Sequence, residues 1–199
     1  MYIFIKNILE KPIALIALII LLPLILATAL IVFIFDGWPV FFIQKRLGYR
    51  GREFNIYKFR TMGLNAEKNG PILTKSFDDP RFTRVGRFLS RYYLNEIPQF
   101  LNVLTGKMSF IGPRPERPYF HKLLSKKIHG WPKRLSVPQG IIGLAQIHSA
   151  TSLEPEKKLG YDLKYIDNIS LVQDVKIILE AMCLRKRISR TALKQIPDD

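Results

Sequence analysis

The sequence is short of cysteine, short of acid, and free of internal repeats and low-complexity tracts. One cysteine in 199 residues, Cys183, excludes a disulfide framework and a cysteine-rich zinc site, and fits a reducing compartment. Sixteen Asp and Glu stand against 31 Lys and Arg, for a net charge of +15. An excess of that size seeks an anion: nucleic acid, an acidic lipid surface or a phosphorylated substrate. Charge alone does not choose among them. An apolar content of 48% excludes a disordered chain, and the length suits one domain with a core plus an appendage.

Charge is missing altogether from Pro12 to Phe35, "PIALIALIILLPLILATALIVFIF", a run of 24 residues. As a helix it is long enough to cross a hydrocarbon core of roughly 30 Å. It is too long for a typical signal-peptide core, and "FDGWPVFF" offers no small-residue cleavage site. A run that is apolar on every face needs lipid or protein around it, and the remaining chain is small for the second task. Lys6 and Lys11 precede the run, while Lys45, Arg46, Arg50 and Arg52 follow it, so the positive-inside rule draws both ends to the cytoplasm. A straight span satisfies one end. A re-entrant helix broken at Pro23 satisfies both, with Thr28 one turn later to relieve freed carbonyls. The residues themselves leave these two geometries open.

Beyond residue 36 the pattern is α+β and mostly helical. Strands are predicted near Val40–Gln44 and Glu53–Phe59, forming a short β-hairpin around a basic, Gly-containing turn. "LNAEKNGPILTKSFDDPRFT" reads as loop and "TGKMSFIGPRPERP" as irregular and rigid. Helices are predicted over Val85–Tyr92, Ile97–Leu104, His121–Lys127, Glu154–Tyr165 and Leu171–Arg187. In the last, Val172, Val175, Ile178, Leu179 and Met182 form a stripe ahead of "RKRISR", suited to a bilayer surface or to the domain core. Cys183 reads there as a small buried residue.

In "YYLNEIPQFLNVL", Leu94, Ile97, Leu101 and Leu104 share one helical face. Pro98 places a helix start near Asn95 or Glu96, so the pair reads first as a cap and a first-turn acid. The same tip suits a phosphate. Lys58 and Arg60 in "IYKFRTM", and Arg114 and Arg117 in "GPRPERP", are candidates to converge on it, since arginine forks match phosphate oxygens. A carboxylate among such bases is a candidate ligand for a phosphate-bridging divalent metal.

Six segments together carry a specific resemblance: the apolar N-terminus, "QKRLGYRGREFNIYKFRTM", "DDPRFTRVGRFL", "LNEIPQFLNVLTGKMSFIGPRPERP", "GIIGLAQI" and "YDLKYIDNISLVQDVKIIL". In that order, over nearly the whole chain, they resemble the bacterial sugar transferases, the small monotopic phosphoglycosyl transferases that initiate polysaccharide and glycoconjugate synthesis. The resemblance implies Mg²⁺-dependent transfer of a phospho-sugar from a nucleotide diphosphate sugar, expected as a UDP-sugar, to polyprenyl (undecaprenyl) phosphate. It implies a covalent phospho-sugar enzyme formed by an aspartate where Asn95 stands, with Glu96 beside it, both as metal ligands. It puts Lys58, Arg60, Arg114 and Arg117 on phosphates and Gln146 and Asp162 on substrate, although Asp162 equally suits bracing its helix. It also implies a re-entrant membrane helix over residues 1–36, interfacial amphipathic helices, a catalytic domain over 37–199 at the cytoplasmic face of the bacterial inner membrane, and downstream glycosyltransferases as partners.

The chain departs from the family pattern at several points. Asn95 replaces the nucleophilic Asp, Lys107 an Asp, Ile142 a Thr and Ala150 an Arg implicated in phosphate binding; Ser90 stands where an Arg is frequent. Arg91 and His148 are candidates to compensate. Asn95 is open to three readings: an engineered change, a natural silent relative that binds polyprenyl phosphate or partner enzymes, or direct attack by the lipid phosphate without a covalent step. A nucleic-acid binder would interleave bases with exposed aromatics, whereas Tyr57, Phe59, Phe100 and Phe110 read as core, so no nucleic acid is expected.

Overall fold

The computed structural model describes residues 1–68, 70–72, 79–148 and 154–193. A 35-residue helix, α1 (Tyr2–Asp36), opens the chain. The hairpin β1 (Phe41–Leu47) and β2 (Glu53–Phe59) follows, antiparallel, with Phe42 opposite Lys58 and Arg46 opposite Phe54. Then come α2 (Arg84–Arg91), a 3-10 turn (Leu94–Gln99), α3 (Phe100–Leu104), β3 (Ser109–Ile111) and α4 (Pro118–Lys127). A second 3-10 turn (Trp131–Ser136), β4 (Gly140–Ile142), α5 (Leu144–Ile147), α6 (Pro155–Asp167) and α7 (Leu171–Leu193) complete it. β3 and β4 pair in parallel. The fold is α+β and mostly helical, as the sequence pattern predicts.

The expected break at Pro23 is absent: α1 runs unbroken through Pro12 and Pro23. A proline withholds one backbone donor, which bends a helix without ending it when its neighbours keep their bonds. Both ends of α1 nevertheless return to the same body. Near its start, Lys6 donates to Ile111 O at 2.6 Å and Tyr165 Oη at 2.9 Å and pairs with Asp174 at 2.7 Å. Ala14 enters a core cluster with Phe54, Ile56, Val103, Met108 and Ile141. Near its end, Val32 packs with Val40, Phe59 and Leu89, and the Asp36 carboxylate accepts from Thr83 at 2.8 Å. The remaining surface is exposed and apolar, including Ile16, Ile19, Ile20, Leu22, Leu24 and Leu26. A domain lying on one side of a membrane cannot hold both ends of a helix that crosses it.

Two further expectations change, and one open choice closes. Asn95 does not cap a helix; Tyr93, in the left-handed region at φ 57°, precedes the turn, and Asn95 lies inside it. Cys183 is exposed, because α7 packs through Asp174 and Ile177 instead. The stripe of Val172, Val175, Ile178, Leu179 and Met182 is exposed too, so it does not serve the core. Residues 73–78 of the long loop, and Ala150, lie outside the described residues.

Candidate active site

Backbone constraints set the position of each side chain. Pairing of Phe41 with Phe59 and Phe42 with Lys58 turns Phe42, Gln44, Arg46 and Lys58 to one face of the hairpin. The chain after β2 folds back, with Met62 bridging Phe82 and Thr83 N donating to Thr61 O at 3.1 Å. That brings α2 against Thr61 so closely that a Cβ at Gly86 would stand 2.0 Å from the Thr61 oxygen. The left-handed turn at Tyr93 then redirects the chain, and the 3-10 turn presents Asn95 and Glu96 to β2. A third wall is the proline-rich segment leaving β3. Gly140 N donates to Pro113 O at 2.9 Å, Arg134 to Arg114 O at 2.9 Å, and Leu47 N to Glu116 O at 2.9 Å. Its rigidity comes from these bonds as well as from its prolines.

The three walls enclose a cavity of about 690 Å³. Asn95, Glu96, Lys58, Arg60, Arg114 and Arg117 all line it. Glu96 is the hub. Lys58 Nζ lies 3.1 Å from its Oε1, and Arg114 holds both oxygens, Nη1 at 3.1 Å from Oε2 and Nη2 on Oε1. Burial would raise the Glu96 carboxyl, but Arg114 and Lys58 outweigh it and hold the group down, at about 2. For Lys58 the balance reverses: burial outweighs Glu96 and pushes the ammonium down to about 8. Asn95 is 8% exposed, and its amide has no hydrogen-bond partner among the described residues.

Two predicted phosphate ligands carry other bonds. Arg117 is paired bidentately to Glu67, at 2.6 and 2.9 Å, with its guanidinium over the Phe120 ring. Arg60 donates to the carbonyls of Asp36, Gly37 (2.7 Å) and Trp38 (3.1 Å), closing off the carbonyl end of α1. Two predicted substrate ligands lie off the cavity. Gln146 accepts from Gly143 N at 2.7 Å, within its own short helix. Asp162 is 1% exposed and accepts from Arg134 Nε at 2.6 Å, so it braces the base that fixes Arg114.

Sequence reasoning missed Arg46, Glu67, Glu116 and Lys158, which also line the cavity. Lys158 lies four residues before Asp162, which could have signalled it, since both then share a helix face. Glu116 lies between the arginines of "GPRPERP", where nothing in the sequence marks it apart from them. Seven Lys and Arg against three Glu in the lining leave the cavity in need of an anion with several charges. Among the described residues no three His, Cys, Asp or Glu gather as a metal cage. One carboxylate and one amide oxygen, on Glu96 and Asn95, suit an ion that keeps most of its ligands from water and phosphate, as Mg²⁺ does.

Residues 1–185 match the bacterial sugar transferase family. The chain belongs to that family. A UDP-N-acetylgalactosamine-undecaprenyl-phosphate N-acetylgalactosaminephosphotransferase of Aeromonas hydrophila is 39% identical over 184 residues, 91% of this chain and 43% of that protein. A UDP-glucose:undecaprenyl-phosphate glucose-1-phosphate transferase of Xanthomonas campestris is 41% identical over 179 residues, 87% of this chain and 37% of that protein. A putative undecaprenyl-phosphate N-acetylgalactosaminyl 1-phosphate transferase of Bacillus subtilis is 41% identical over 134 residues, 67% of this chain and 74% of that protein. The chain thus spans about two-fifths of the first two relatives.

Proposed function

We propose that this bacterial sugar transferase acts on a nucleotide diphosphate sugar, a UDP-sugar, and transfers its phospho-sugar to undecaprenyl phosphate at the cytoplasmic face of the inner membrane. The observation that carries the reading is the convergence of Lys58 and Arg114 on Glu96, beside Asn95, in a cavity rich in cations. Phosphoryl transfer requires little of a protein beyond positioning and charge stabilisation, and this site offers both. Lys58 and Arg114 hold the transferred phosphate, and Arg117 exchanges Glu67 for a phosphate oxygen. Arg60 fixes the end of α1 against the strand that carries Lys58. Mg²⁺ held by Glu96 and the Asn95 amide oxygen would neutralise charge on the diphosphate when bound. Apolar α1, with both ends on one body, dips into a single leaflet and brings the acceptor to the cavity.

With a carboxylate at position 95, its oxygen attacks the β-phosphorus, the P–O bond to the nucleoside monophosphate breaks, and the lipid phosphate then displaces the carboxylate. A neutral amide is a poor nucleophile, and loss of a covalent nucleophile costs on the order of a million-fold in rate. The chain as it stands therefore binds its substrates and turns over slowly by direct attack of the lipid phosphate. Asn95 also favours a second reading, a silent relative that retains polyprenyl phosphate. Assays of nucleoside monophosphate release, with polyprenyl phosphate and Mg²⁺ present, divide the two. Asn95→Asp should raise release by a thousand-fold or more. Binding of the lipid phosphate with no release by either form supports the silent reading.

A further inference from the structure

We infer that Arg46 and Lys158 form a second phosphate subsite in the cavity and that it takes the nucleotide-side phosphate of the donor. The inference rests on the transferase reading above and assigns residues that reading leaves unused.

The cavity bases sort themselves by the carboxylate each one meets. Glu96 takes Lys58 and Arg114, and Glu67 takes Arg117. Glu116 faces Lys158 at 2.8 Å, with Arg46 and Arg134 each at 4.0 Å. Arg134 is fully buried against Asp162 and does not line the cavity. Glu116 is thus left with two bases that do, and one positive charge there goes unmatched. Both bases also keep donors in hand. Arg46 gives Nη1 to Pro115 O at 3.2 Å and Nη2 to Gln44 at 2.7 Å, while its buried Nε has no partner among the described residues. Lys158 is 5% exposed; one of its three ammonium protons goes to Glu116, and the ammonium also lies 5.9 Å from the centre of the Trp131 ring. A buried ammonium beside a half-buried guanidinium, both with unspent donors, is costly until an anion arrives. Burial first, then repulsion from Arg114 and Arg117, pushes the Arg46 guanidinium down to about 10 against the pull of Glu116.

Direction along the hairpin assigns the ligand. Arg46 lies four residues beyond Phe42, the partner of Lys58, or about 14 Å along the strand. At the Lys58 end the cavity wall is Pro39, Phe41, Phe42 and Phe59, next to the end of α1. An isoprenoid chain enters there. The phosphate that is transferred sits by Asn95 and Glu96, so the other donor phosphate and its nucleoside extend away from the lipid, toward Arg46 and Lys158.

The test measures binding of uridine 5′-monophosphate, and separately of a short-chain polyprenyl phosphate, to the full chain in detergent by calorimetry. Arg46→Gln is the milder variant, because that side chain is 19% exposed. Lys158→Met is paired with Glu116→Gln so that no buried carboxylate is stranded. Each variant should weaken the nucleotide by about tenfold, the scale of one charge-assisted hydrogen bond, and leave the lipid phosphate within about twofold. Unchanged nucleotide binding in folded variants, or a loss confined to the lipid phosphate, overturns the subsite. Failure of the unaltered chain to bind either probe overturns the transferase reading itself.

Discussion

Glu96 is a buried carboxylate held by two bases, and its consequence for stability has a definite sign. Its folded pKa lies at about 2, below the usual carboxylate value of 4.5, so the unfolded chain takes up the proton first as pH falls. The stabilisation is fully present above about pH 4.5 and is lost as pH drops toward 2. A depression of that size corresponds to about 3 kcal/mol. Glu96→Gln should melt well below the unaltered protein at pH 6, and the gap should shrink by about that amount between pH 4.5 and 2. Melting curves in detergent across that range check it, and a gap independent of pH would mean that Glu96 contributes shape alone. The candidate residues were legible through the resemblance that joins "IYKFRTM", "LNEIPQF" and "GPRPERP", since a single arginine between prolines is by itself an ordinary surface charge. Assignments within the cluster were not, since Arg60 and Arg114 look alike in one dimension. One guanidinium closes a helix end and the other clamps a carboxylate, and that choice depends on where α1 finishes.

At the scale of elements, the site depends on a close approach between α2 and the strand exit. Gly86 leaves no room for a side chain: its Cβ would meet the carbonyl oxygen, carbonyl carbon and Cα of Thr61 at 2.0 to 2.5 Å. Backbone cannot swing aside as a flexible side chain can. Gly86→Ala should therefore force α2 off Thr61 and cost about 3 kcal/mol, at the upper end for overpacking. Gly63→Ala, where nothing lies within 4 Å of the added methyl, should change melting little. Equal melting of the two variants would show that α2 is free to shift. Helix positions after residue 80 followed from apolar spacing, and α2, α6 and α7 start within a residue or so of the predicted places. The 3-10 turn did not follow. Pro98 reads as a first-turn residue but lies near the end of the turn, and the left-handed Tyr93 that starts it leaves no mark in composition. The face by which α7 packs also escaped. Its apolar stripe suits a bilayer surface or the core equally, and the buried face is held instead by Asp174 accepting from Tyr2 and Tyr165.

For the whole molecule, the governing fact is that both ends of α1 grip one body while its flanks stay apolar and exposed. Charge around the run pointed to this arrangement, but only contacts between residues 100 or more apart decide it, such as Lys6 with Ile111 and Tyr165. The sequence expressed the constraint as basic residues at both ends; the fold meets it with a long helix that stays hydrogen-bonded through two prolines. The arrangement makes a direct prediction in membranes. In a Cys183→Ser background, Lys11→Cys lies before the apolar run and Arg52→Cys in the hairpin turn, and both native residues are exposed. Gly106, whose added Cβ would touch the Lys11 side chain at 3.2 Å, keeps position 11 on the side of the globular body. A membrane-impermeant maleimide should therefore label both cysteines in inside-out inner-membrane vesicles and neither in spheroplasts. A helix crossing the bilayer would expose one cysteine to each preparation. That outcome would require Lys6 to leave Tyr165 and Asp174, parting an acid that now sits 8% exposed from its lysine, at a cost of about 3–5 kcal/mol. The same cost explains why both ends of α1 stay on one body, with the cavity wall of Pro39, Phe41 and Phe59 next to the end of the helix.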